Sequence, residues 1–338
     1  MLGFVVLAFL AGEGILRVRA KIRFGEARSS YYVEHPVLGH VLKPNFTVSG
    51  TKGTVHINSL GFRGREFSKI PEGGVTRIAC VGSSTVFGGT IDDDLIFAAV
   101  LEKLLNEHQT DFPVQVINAG VPGWGADEVL YHLEHYVVPY EPAIAVIYPP
   151  VNDVGVVMRQ PEAGAEGSTQ QPHFLRRWRR EHSVFYNTFR DELRVLNPER
   201  AGEQFTQFPA GAIARFEAMY SKLTHTCKDN GIIPILCTQA RAYRRDQPLS
   251  VQRKYASGWG LGLEGSYEAD KALNKAISTV AKKEEVILVD LAQQAPGGEE
   301  YFIDSIHFSP RGHKKAAEAL ARAILTNNLL ESASFKRR

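Results

Sequence analysis

The chain has 338 residues, enough for one large α/β domain with appendages. Hydrophobic residues make up 44% and charged residues 22%, ordinary values for a globular protein. The formal net charge of +2 implies no polyanionic partner, nucleic acid included. The three cysteines, Cys80, Cys227 and Cys237, provide no disulfide framework, no Cys/His spacing reads as a metal site, and no cofactor is expected.

Residues 2–16 are almost wholly apolar, broken by Glu13, and the basic Arg17, Arg19, Lys21 and Arg23 come next. The run is shorter than the ~20 residues of a bilayer span, and it lacks the basic start and cleavage site of a secretory signal. It is terminal and has no polar face, so residues 1–23 read as a membrane anchor with a basic flank. Positive charge after the run favours a cytoplasmic position for the rest of the chain.

Residues 24–75 read as an N-terminal extension rich in turn formers. They carry two local patterns, His35-Pro36-Val37-Leu38-Gly39-His40 and Ile57-Asn58-Ser59-Leu60-Gly61-Phe62-Arg63-Gly64. The second fits a β-hairpin with glycine turns on the domain edge better than a substrate contact.

From residue 76 strands and helices alternate. The apolar run 78–81 leads into Gly82-Ser83-Ser84-Thr85. A serine at the exit of a buried strand is a candidate nucleophile, but its hydroxyl needs a base at neutral pH. Asp92-Asp93-Asp94 reads as a capping run for the next helix rather than as a metal cluster. That helix has Phe97, Val100, Leu101, Leu104 and Leu105 on one face.

A second strand, 114–117, leads into Asn118-Ala119-Gly120-Val121-Pro122-Gly123-Trp124-Gly125, where glycine permits a tight turn and a close approach of a backbone N–H to a ligand. His132 and His135 sit on the next predicted helix and read as exposed residues rather than metal ligands. A third strand, 144–148, leads into Pro150-Val151-Asn152-Asp153. An amide at Asn152 has the donors to stabilise a developing oxyanion.

Residues 155–205 interrupt the alternation as an insertion. Within it, 173–194 interleave basic and aromatic residues, which read as a helix with a solvated basic face. Strand candidates 232–236 and 286–289 complete five, and Trp259 lies between them in a glycine-rich loop, 255–267, that could line a cleft. The five runs are continuous rather than alternating, as in a parallel sheet covered on both faces. Asp304-Ser305-Ile306-His307 precedes a terminal helix opened by Ser309-Pro310-Arg311-Gly312-His313, where His313 reads as a helix-start residue. The imidazole of His307 is suited to take the Ser84 proton and Asp304 to hold its tautomer. An isolated Asp-x-x-His is more often an ordinary loop; the blocks at Gly123 and Asn152 add the specificity.

In this order the four blocks resemble the SGNH (GDSL-type) hydrolases, over roughly residues 76–326. The resemblance implies a three-layer α/β/α sandwich with a central parallel sheet of about five strands, in a hydrolase domain spanning 76–330. Carried over, it makes Ser84 the nucleophile, His307 the base and Asp304 its orienting partner. It makes the Ser84 N–H, the Gly123 N–H and the Asn152 side chain the oxyanion hole. Two positions depart from the family pattern: Ser83 replaces the acidic neighbour of the nucleophile, and Pro150 replaces a glycine.

The implied activity is hydrolysis of an acetyl or short acyl ester, of a small molecule, glycan or lipid, without a cofactor. An O-acyltransferase acting on an envelope polysaccharide uses the same serine, and a catalytically silent envelope-binding protein keeps the same fold. Anchored relatives commonly work outside the cytoplasm, so the resemblance places the domain there, against the charge rule.

Overall fold

In a computed structural model of the protein, the residues described are 31–50, 53–108, 113–157, 211–256 and 261–335. The expected anchor, the basic–aromatic insertion and Trp259 lie outside the described residues.

Four short strands come first: β1 (Tyr32–His35), β2 (Gly39–Leu42), β3 (Phe46–Gly50) and β4 (Gly53–Ile57). They form two antiparallel hairpins, β1–β2 and β3–β4. The main sheet holds β5 (Thr76–Gly82), β6 (Val114–Gly120), β7 (Ile144–Ile147), β8 (Ile233–Cys237) and β9 (Ile287–Val289). All four of its pairings are parallel, in the order β6-β5-β7-β8-β9.

The helices are α1 (Ser84–Phe87), α2 (Phe97–His108), α3 (Ala126–His132), α4 (Asn152–Val157), α5 (Ala212–Asp229), α6 (Leu249–Tyr255), α7 (Leu263–Lys283), α8 (Leu291–Gln294), α9 (Pro310–Thr326) and α10 (Leu329–Phe335). Successive side chains of a strand point to opposite faces of the sheet. Ala79 and Val81 of β5 therefore join one core with Val129 of α3, Phe216 of α5 and Leu273 of α7. Ile78 and Cys80 join the other core with Leu101 of α2 and Leu320 of α9. Two buried faces explain the continuous apolar runs 78–81 of β5 and 144–147 of β7, and the α/β/α sandwich is as expected. Burial raises the pKa of Cys80 and Cys237, leaving both thiols protonated packing groups.

The first strand of this sheet has β6 on one side and β7 on the other. Such a reversal of strand order opens a crevice at the carboxyl ends of the strands, where ligands bind in open α/β sheets.

The hairpins pack on the same body. Leu38, Leu42, Val55, Ile57 and Phe62 belong to the core that includes α3. The expectation that Asp92 to Asp94 cap α2 is not met: the helix starts at Phe97 with no acidic residue in its first turn. Instead Asp92 accepts the Thr54 N–H at 2.7 Å, and Asp93 accepts the His56 N–H at 3.0 Å. Thr54 and His56 lie two apart on β4, so their N–H groups leave the strand on one side, and the carboxylates satisfy donors no neighbouring strand takes.

Candidate active site

Three strand ends supply three of the groups. Gly82 ends β5, and Ser84 opens the single turn of α1. Gly120 ends β6 and leads to Gly123. β7 leads through Pro150 to Asn152, the first residue of α4.

The fourth group comes from the far end of the chain. Phe302 and Phe308 form an antiparallel bridge, and the Ile303 N–H donates to the His307 carbonyl at 2.9 Å, closing a small loop. Ser309 then caps α9 by accepting the Gly312 N–H at 3.2 Å, with Pro310 at the first helical position. A Cβ on Gly312 would lie 2.0 Å from the Tyr301 carbonyl oxygen, so only glycine lets the loop and helix meet this closely. His313 is fully buried in that first turn, and its Nδ1 accepts the Phe97 N–H at 3.1 Å, joining α9 to the start of α2. It is thus a core clamp as well as a helix-start residue.

The loop carries His307 to Ser84 across 223 residues of sequence. The Ser84 hydroxyl lies 2.8 Å from Nε2 of His307. On the other side of the ring, Nδ1 lies 2.6 Å from Oδ2 of Asp304. A carboxylate only accepts, so Nδ1 carries the proton, and Nε2 is left to accept from the serine O–H. Oδ1 of Asp304 accepts the N–H groups of Ile306 and His307, each at 2.9 Å. Burial works to raise the Asp304 pKa, but the hydrogen bond and charge of His307, with these two N–H groups, prevail and hold it below the ordinary carboxylate value.

Gly123 has φ of +91°, a left-handed conformation that glycine adopts without strain. Its N–H and that of Ser84 make no hydrogen bond among the described residues. Asn152 is differently disposed: its Nδ2 donates to the Trp124 carbonyl at 2.9 Å and to Oγ of Ser83 at 3.1 Å. Its neighbour Asp153 is turned inward and accepts the Ala126 N–H at 2.8 Å, tying α4 to the start of α3. Burial raises Asp153 to about 8; the Ala126 N–H lowers it, and the charges of Glu128 and Asp127 raise it further.

Several contributors have no local signature. Arg63 is buried and donates from Nε to Asp93 at 2.8 Å and from Nη1 to the Phe87 and Gly89 carbonyls at 2.5 and 2.8 Å. Its Nη2 donates to the Ile91 carbonyl at 2.5 Å. It thus braces the loop that leaves α1. His135 is exposed as expected, but His132 is buried at 6% exposure between Trp124 and Tyr136, and burial lowers its pKa to about 3. Periodicity places His132 on a helix and cannot say that the helix turns it toward a neighbour. No group of residues suited to holding a metal ion occurs among the described residues.

A serine hydroxyl, an imidazole and a carboxylate in hydrogen-bonded series at the carboxyl edge of a parallel sheet are the arrangement of a serine hydrolase, and the family that the chain matches makes it one that acts on ester bonds. The GDSL-like Lipase/Acylhydrolase family model matches residues 80–315, and the chain belongs to that family.

Solved structures of similar proteins include the lipase/acylhydrolase of Enterococcus faecalis, at 18% identity, TM-score 0.47, covering 74% of this chain and 95% of that one. The aryl esterase of M. smegmatis is 14% identical, TM-score 0.48, covering 75% of this chain and 99% of that one. A mutant acetyl-xylooligosaccharide esterase from a Geobacillus is 15% identical, TM-score 0.47, covering 76% of this chain and 96% of that one. The assignment rests on the family match and not on these distant likenesses. Comparison with curated proteins found no significant match.

Proposed function

We propose that the protein hydrolyses an acetyl or short acyl ester through an acyl-enzyme on Ser84. The observation that carries this reading is the 2.8 Å approach of the Ser84 hydroxyl to Nε2 of His307. In the first step Ser84 attacks the ester carbonyl carbon, its proton passes to Nε2, and the alcohol leaves with that proton. In the second, His307 takes a proton from water as it attacks the acyl carbon, then gives that proton to Oγ of Ser84 as the acyl–oxygen bond breaks and the acid leaves. Asp304 keeps the ring in the needed tautomer throughout. The tetrahedral oxyanion is held by the N–H groups of Ser84 and Gly123 and the amide of Asn152.

Ester-bearing glycans and lipids are the substrates we favour, with residues 1–23 anchoring the enzyme and the domain outside the cytoplasm. That apolar segment supports the anchor; among the described residues no helix is long and apolar enough to cross a membrane.

The test is labelling of the full chain with a fluorophosphonate beside a Ser84→Ala control, followed by turnover of p-nitrophenyl acetate and acetylated sugars. Labelling that disappears with Ser84→Ala supports the mechanism. A folded wild-type protein that neither labels nor turns over any ester would remove it.

A further inference from the structure

We infer that His40, on β2 of the N-terminal hairpins and outside the matched family region, is a positioning residue of the oxyanion hole. The inference rests on the proposed Ser84 mechanism and extends it to a part of the chain with no assigned role.

The His40 ring reaches 82 residues along the sequence to the Gly123 turn. Its Nε2 lies 2.9 Å from the Pro122 carbonyl oxygen, and because a carbonyl only accepts, Nε2 carries the proton and donates. That carbonyl belongs to the same peptide unit as the Gly123 N–H. A trans peptide is planar, so its C=O and N–H point in opposite directions. Holding the Pro122 oxygen on one side therefore aims the Gly123 N–H toward the other. The clamp is needed because Gly123 sits at φ +91°, where a glycine can rotate the preceding peptide with little steric resistance.

The ring also lies against the turn. A Cβ on Gly123 would stand 3.5 Å from Cε1 of His40, which is van der Waals contact. The next residue is tied to the same place: Nε1 of Trp124 donates to the His40 carbonyl at 3.2 Å. The Trp124 carbonyl in turn accepts from Nδ2 of Asn152 at 2.9 Å. His40 thus grips both neighbours of Gly123, and through Trp124 it bears on the third donor of the hole. The ring of Tyr32, across the hairpin on β1, meets the His40 ring edge-on with centroids 4.6 Å apart and fixes its plane.

The test is steady-state hydrolysis of p-nitrophenyl acetate by the full chain carrying His40→Gln, His40→Asn or His40→Leu, with Ser84→Ala as the blank. The Gln amide nitrogen reaches about as far as Nε2; the Asn amide nitrogen reaches only about as far as Nδ1. His40→Asn and His40→Leu should lower kcat about tenfold with KM within twofold, a part of the ~10²–10³ lost when an oxyanion donor is removed outright. His40→Gln should recover most of that loss. Gln and Asn variants of equal kcat, or a loss expressed in KM alone, would overturn the inference. This comparison does not depend on His40→Leu folding. A wild type without Ser84-dependent turnover overturns the catalytic reading and this inference with it. An active wild type whose kcat ignores His40 overturns this inference alone.

Discussion

Nδ2 of Asn152 donates to Oγ of Ser83 at 3.1 Å, so the residue proposed as the third oxyanion donor is engaged by the neighbour of the nucleophile. One amide hydrogen is held by the Trp124 carbonyl; the other must pass from a neutral hydroxyl to the developing oxyanion. A charged acceptor binds a donor roughly twice as strongly as a neutral one, so the exchange favours the transition state. Asn152→Ala should lower kcat about 10²–10³-fold with little change in KM. Ser83→Ala, which removes only the competing acceptor, should leave kcat at or slightly above the wild-type value. A fall matching that of Asn152→Ala would make the Ser83 hydroxyl part of the catalytic machinery.

Asp304→Asn tests how the His307 tautomer is held. An amide in place of the carboxylate can present its NH2 to Nδ1, which favours the ring with its proton on Nε2 and leaves no acceptor for the serine. We expect kcat to fall about 10⁴-fold, by analogy with the equivalent change in a serine protease triad, with the thermal midpoint nearly unchanged. A loss below tenfold would show that His307 holds its tautomer without Asp304.

Arg63 offers a test of how far the extension supports the catalytic loop. Its guanidinium is buried and serves Asp93 and three carbonyls between Phe87 and Ile91. Arg63→Ala leaves Asp93 to His56 alone and strips the donors from the three carbonyls, and at about 1–3 kcal/mol for a buried acceptor left unsatisfied it should cost a few kcal/mol. Urea unfolding measures this; a cost under about 1 kcal/mol would mean that water replaces the side chain readily.

Stability should depend on pH in two opposite ways. His132 and His313 are buried, and burial lowers both to about 3. The unfolded chain takes up their protons below about pH 6.5, so they cost stability as pH falls from there toward 3. Asp153 behaves in reverse. Raised to about 8 by burial, it stays protonated in the fold while the unfolded residue ionises near pH 4. Stability from this group is therefore lost as pH rises from about 4 to 8. Asp153→Asn removes that dependence. Its thermal midpoint should gain on the wild type steadily between about pH 5 and 8, and parallel curves would show that Asp153 is ionised in the fold.

The five sheet strands, α2, α9 and the order of the four blocks were legible because each is a local property. A buried strand is a continuous apolar run, an amphipathic helix repeats every three to four residues, and a nucleophile comes directly after a strand. Ser84, Gly123, Asn152, Asp304 and His307 could be named on that basis and on the family resemblance. Other features depend on partners distant in sequence. Asp93 looked like a helix cap and pairs with Arg63 and His56, because an unpaired strand edge competes for the same carboxylate. His132 looked exposed and is buried, because the face a helix buries depends on what packs against it. His40 stood in a turn-rich pattern with nothing to link it to Gly123, since its neighbours on the chain are not its neighbours in space. The sequence by itself determined which groups are present, that Ser84, Gly123 and Asn152 follow strand ends, and that Asp304 and His307 precede the terminal helix. Only the tertiary structure decided how they are aimed, because hydrogen bonds across 82 to 223 residues form only after strand order and hairpin docking bring their ends together.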